Sequence, residues 1–195
     1  MSERPELERF VVDLSALPAQ FPTHRHAPQF WEHLGRTVAT FAFLEEILGK
    51  AIFAFTATRR YSEEEAETAF EKWRPKLEKA LTDPLGKLIG TYGTAVRENG
   101  AATISNLDEL LDCLRKAAKL RNVLCHGSWR VPDTTGRSTP LFVNSDNKPF
   151  EGAIDEAFLA QTQKHVAELA CAVISSVAHM GWRFPGWPSG PGKAV

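Results

Sequence analysis

Apolar residues recur at spacings of three and four over several long stretches of this chain. Over 29–55 the repeat runs Leu34, Val38, Phe41, Leu48, Ile52 and Phe55, the stripe of an amphipathic helix. One step of that series, between Phe41 and Leu48, lands on Glu45. Over 105–125 the stripe is Leu107, Leu111, Leu114, Ala118, Arg121 and Cys125. Ser105 is the N-cap candidate there, Asp108 sits near the positive helix end, and Gly127 is placed to stop it. A third stretch, 155–180, points Phe158, Leu169, Val173, Val177 and Met180 inward. Ser62 with Glu65 forms a capping box for another helix, carrying Phe70, Trp73, Leu77 and Leu81 and kinked or broken by Pro75. Asp83 and Pro84 then start a short helix over 85–96, followed by a turn at Asn99-Gly100.

The pattern lapses in three places. Residues 1–28, with Pro5, Pro18, Pro22 and Pro28, form an irregular arm in which His24 and His26 read as a solvated loop. After Gly127, two short β-like runs at 129–131 and 141–143 flank Pro132, Asp133 and Gly136, which favour a loop or hairpin tip. Residues 182–195 are a Pro/Gly-rich tail. The sum is an all-α bundle of four or five main helices over 29–181, with a short β-hairpin or loop insertion at 129–150 between the last two helices.

Composition narrows the function. The 195 residues favour one domain, and 43% hydrophobic with 24% charged is ordinary for a globular protein. A net charge of -1 argues against coating nucleic acid by bulk charge, while leaving room for a local basic cleft. The 3 Cys form no CxxC, which indicates neither a disulfide framework nor a zinc knuckle, and a reducing cytoplasm is the expected compartment. The N-terminus lacks a signal-peptide core, and no apolar run is long enough for a bilayer. No metal site and no cofactor are expected.

The chemistry concentrates in RNVLCHGSW, from Arg121 to Trp129. A helix end needs only Gly127 to stop, so the arginine, asparagine and histidine call for another reason. Glu45 and Arg121 are opposite charges on two apolar stripes, and each is the natural partner of the other if those helices pack together; Glu46 is the fallback. Asn122 and His126, four apart, share a face that Lys119 and Arg115 continue. Arg121 and His126 diverge by roughly 140° on a straight helix. They reach one ligand only if the helix unwinds or a second copy supplies its own His126. Arginine suits phosphate, asparagine adds a neutral donor, and histidine takes and returns a proton near neutral pH. Those are parts for metal-independent cleavage of RNA by a homodimer.

Arg121, Asn122 and His126 at the end of a Leu-rich helix, stopped by Gly127, resemble the HEPN superfamily (higher eukaryotes and prokaryotes nucleotide-binding domain) over 29–180. Its signature is Arg, a short spacer and His, very often with Asn straight after Arg. The resemblance implies an RNA endonuclease, often a toxin or antiviral defence effector, acting as a homodimer with a composite site and held in check by an antitoxin or regulatory protein. It also implies an acidic residue on an earlier helix touching the arginine, a role Glu45 matches. The insertion at 129–150 is no part of the minimal bundle.

Plainer readings stand beside these. A salt bridge explains Arg121 and Glu45, and His126 alone complements a helix dipole. Cys125 reads as a buried small apolar residue. Arg115, Lys116 and Lys119 form either a solvated face or a rim that attracts RNA. Trp129 and Arg130 either stack a base or, for the tryptophan, pack the insertion onto the bundle. Two alternatives to the nuclease remain: a non-catalytic HEPN-like module that binds nucleotide, RNA or protein, and a structural dimerisation domain in which the motif is coincidence.

Overall fold

A computed structural model describes residues 12–58 and 83–186. The helix expected from Ser62, with its capping box and Pro75, lies outside the described residues, as does most of the tail. Among the described residues the fold is all-helical: a short 3-10 turn at Leu14–Ala16, then α1 (Pro28–Ala57), α2 (Leu85–Glu98), α3 (Leu107–His126) and α4 (Glu156–Ala178). No helix among them is long and apolar enough to cross a membrane.

Helix α1 is the central element. Pro28 opens it at N1, where a missing N–H costs nothing. Its stripe is broader than the spacing predicts: Leu44, Ile47, Leu48, Ala51, Ile52, Ala54 and Phe55 are all buried. This follows from its neighbours, since α1 packs most extensively on α4, then on α2, and less on α3. Three buried polar ties fix this arrangement. Thr37 Oγ1 lies 3.1 Å from the Leu159 carbonyl, joining α1 to α4. The Tyr92 hydroxyl is 2.8 Å from Ser176 Oγ, joining α2 to α4. Asn99 Nδ2 donates to the Phe55 carbonyl at 2.8 Å, so the residue that ends α2 also closes the end of α1. Each satisfies groups that would be costly to bury alone.

The segment between α3 and α4 carries no strand. Three isolated antiparallel bridges hold it: Ser128 to Leu141, Ser138 to Ile154 and Val143 to Pro149. Of the two forms expected for this segment, hairpin or loop insertion, it takes the loop insertion. Its two tips are built alike. Asp133 Oδ1 accepts from the backbone N–H groups of Thr135 (2.8 Å) and Arg137 (3.1 Å), and Asn144 Oδ1 from those of Asp146 (3.0 Å) and Lys148 (2.8 Å). Such Asx turns replace the ladder a true hairpin would form. Ile154 and Ser138 anchor the insertion in the core, and Asp155 caps α4 by accepting from the Phe158 N–H at 2.8 Å.

Candidate functional site at the end of helix α3

Helix α3 is capped by Asn106 rather than Ser105, with no side-chain cap bond. It stays regular through His126, and the Gly127 N–H still reaches the Val123 carbonyl at 2.9 Å. Gly127 ends it in extended backbone (φ -70, ψ 135), not in a left-handed turn. A glycine is needed there for closeness: a Cβ would lie 2.6 Å from the Val123 carbonyl oxygen and 2.8 Å from Pro140 Cβ. The insertion therefore folds back directly onto the helix terminus.

Arg121 and Glu45 meet. Arg121 Nη2 lies 3.4 Å from Glu45 Oε1, with the two side chains 31% and 28% exposed. The pair sits at the rim of the core rather than inside it, because α1 and α3 contact each other only modestly. The contact is electrostatic and makes no good hydrogen bond, and Glu45 Oε1, itself screened from solvent, has no hydrogen-bond donor among the described residues. Glu46, the fallback, pairs instead with Lys50 at 2.6 Å.

The other site residues spread around the helix end. Asn122 is exposed and lines a groove with Lys119; His126 is exposed on the last turn, four residues further on the same side. Arg115 is held by Asp112 at 2.6 Å and Arg130 is exposed, its carbonyl accepting from Ser138 Oγ at 2.7 Å. One chain therefore brings Arg121 to Glu45 and turns Asn122 and His126 away from them. Among the described residues, no group of three or more His, Cys, Asp or Glu is placed to hold a metal ion.

Of the two readings of Trp129, packing is what the ring contacts display, and two expectations, on His26 and Cys125, are corrected. Trp129 packs the insertion on the bundle: its ring stands edge-on to Phe30 (4.9 Å), His26 (6.3 Å) and Trp31 (6.4 Å). His26 is half-buried rather than freely solvated. It stacks on Phe30 at 4.5 Å, its Nε2 is buried without a hydrogen-bond partner among the described residues, and burial lowers its pKa. Cys125 is exposed, because Val123 and Leu124 take the buried positions in the last turn of α3.

The groove beside Asn122 escaped the sequence reading. It holds about 460 Å³ and is bounded by Lys116, Lys119 and Asn122 of α3 and by Phe142, Lys148 and Phe150 of the insertion. Only the alternation of Phe142 with the exposed Leu141 and Val143 hinted that this ring turns toward α3.

Compared with protein-family models, with curated proteins and with solved structures, the chain matches none.

Proposed function

We propose that this protein is a metal-independent RNA endonuclease of HEPN type that works as a homodimer. The observation that carries the proposal is the end of α3. There Arg121, steadied by Glu45 at 3.4 Å yet 31% exposed, shares its last turns with exposed Asn122 and His126. Because α3 stays regular through His126, Arg121 and His126 of one chain point roughly 140° apart. A second copy related by a twofold axis supplies the missing partner and a second histidine.

In this reading one His126 takes the proton of a ribose 2'-hydroxyl. The 2'-oxygen bonds to the adjacent phosphorus, and the bond from phosphorus to the 5'-oxygen breaks. The other His126 protonates the departing 5'-oxygen, leaving a 2',3'-cyclic phosphate and a 5'-hydroxyl. Arg121 stabilises the added charge on the phosphoryl oxygens, and Asn122 contributes a neutral donor. DNA, without a 2'-hydroxyl, is not cut. An antitoxin or regulatory protein that covers this helix end would keep such a nuclease in check.

The test is cleavage of a mixed RNA pool in EDTA by the wild-type protein and by His126→Ala. The expected result is cyclic-phosphate ends from the wild type and a loss of roughly 10²–10⁴-fold in the variant. Since His126 is exposed, its removal should change stability by no more than about 0.5 kcal/mol. No cleavage at any concentration that populates the dimer overturns the nuclease. A non-catalytic RNA-binding module would then be the better reading, favoured by the lysine-lined groove beside Asn122.

A further inference from the structure

The groove between α3 and the insertion is unusual in its mixture of groups. Lys116 and Lys119 stand one turn apart on α3, and Lys148 faces them from the second tip of the insertion. None of the three has an ion pair among the described residues, although Asp112, Asp83 and Glu46 all engage neighbouring cations. Asp146 is the single carboxylate in the lining. Phe142 and Phe150 form the apolar floor, half-buried against the core. Asn144 closes the tip by accepting from the N–H groups of Asp146 and Lys148, so Lys148 is carried on a formed turn. Asn147 takes a left-handed φ of 58 to complete it, a conformation asparagine tolerates.

We propose that this groove seats a stretch of single-stranded RNA running from the cut site, with phosphates on Lys116, Lys119 and Lys148 and a base against Phe142. The inference rests on the nuclease reading above, and names where that enzyme holds its substrate. A positive track beside aromatic rings is the arrangement that grips single strands without reading sequence. A volume of about 460 Å³ falls in the range of roughly 300–1,000 Å³ typical of small-ligand sites, room for a nucleotide rather than a duplex. The placement is also directional. The α3 side of the groove runs from Lys116 to Val123, and Lys116 lies six residues before Asn122, about 9 Å away by helical rise. A strand leaving the helix end at Asn122 passes Lys119 and then Lys116.

The experiment measures binding of a short fluorescein-labelled single-stranded RNA by anisotropy, as a function of salt, on a His126→Ala background so that nothing is cut. The triple variant Lys116→Ala, Lys119→Ala, Lys148→Ala should lower the salt slope by about 2, at roughly 0.7 for each phosphate no longer neutralised. Phe142→Leu, which keeps an apolar floor but removes the ring face, should weaken binding about tenfold. Cleavage of a dinucleotide, whose single phosphate lies at the cut site and leaves none for the lysines, is measured in parallel with His126 intact. Its absence from the wild type would count against the nuclease alone. An unchanged salt slope and affinity in the triple variant overturns the groove, whatever the dinucleotide shows. A free mononucleotide that binds as tightly as the strand also overturns it, in favour of a closed nucleotide site. Circular dichroism checks that Phe142→Leu folds, and the exposed lysines give a second route that does not disturb the core.

Discussion

A double-mutant cycle on Glu45 and Arg121 separates a structural tie from a positioned catalytic group. At 3.4 Å two unit charges attract by about 1.2 kcal/mol in water and by about 5 kcal/mol at an effective dielectric near 20. Both side chains keep close to a third of their surface in solvent, which places the pair toward the screened limit, where measured couplings run ~0.2–1 kcal/mol. The absence of a good hydrogen bond at Glu45 Oε1 lowers the expectation further. Glu45→Gln, Arg121→Gln and the double variant, unfolded in urea at one protein concentration, should therefore give a coupling of no more than about 1 kcal/mol. That corresponds to about 2–4 °C in Tm for a chain of this size. On the proposed nuclease reading the same Arg121→Gln should cost roughly 10²–10³ in RNA cleavage, since the guanidinium would then meet the transition state. Glu45→Gln should cost less, and through Arg121 rather than by itself. A coupling above about 3 kcal/mol with cleavage intact would refute the reasoning, since it would make the pair a buried structural bridge. Zero coupling together with full activity in Glu45→Gln would show that Glu45 does not hold the arginine.

Two further predictions concern how the site is supported. Gly127→Ala forces a Cβ against the Val123 carbonyl and Pro140, so the insertion must shift; the expected loss is about 1–3 kcal/mol in urea unfolding, with weaker RNA binding. His26 is half-buried among Phe30, Trp31 and Trp129 with its pKa lowered by desolvation. Below the ordinary value of 6.5 the unfolded chain takes up a proton that the folded chain refuses, so stability falls as pH drops through that value. A plot of Tm against pH should flatten in that window in His26→Phe, and an unchanged acid slope would contradict the assignment.

Period was legible in the chain and capping less so, since α3 is capped by Asn106 rather than Ser105. The stripes of α1, α3 and α4 and the start at Leu85 are visible because side-chain burial on a helix repeats every three to four residues, whatever the helix packs against. Arg121 and Glu45 could be paired from pattern alone, since an opposite charge is the cheapest answer to a charge on an apolar stripe. Local spacing could not say how deep that pair lies. The modest contact of α1 with α3 leaves it at the rim, and only packing decides that. Nor could it place Trp129, whose aromatic partners Phe30 and Trp31 lie about a hundred residues earlier. The insertion was the least legible part. Asx turns and isolated bridges take the place of a ladder, so a period of two survives only briefly, as at 141–143, and the fold of Lys148 and Phe142 over Lys119 is a tertiary event. The chain by itself thus determined which helices form and which charged residues crowd the end of α3. The tertiary structure decided which of them touch, because contacts between distant segments depend on how helices and loops pack, and no local repeat encodes that.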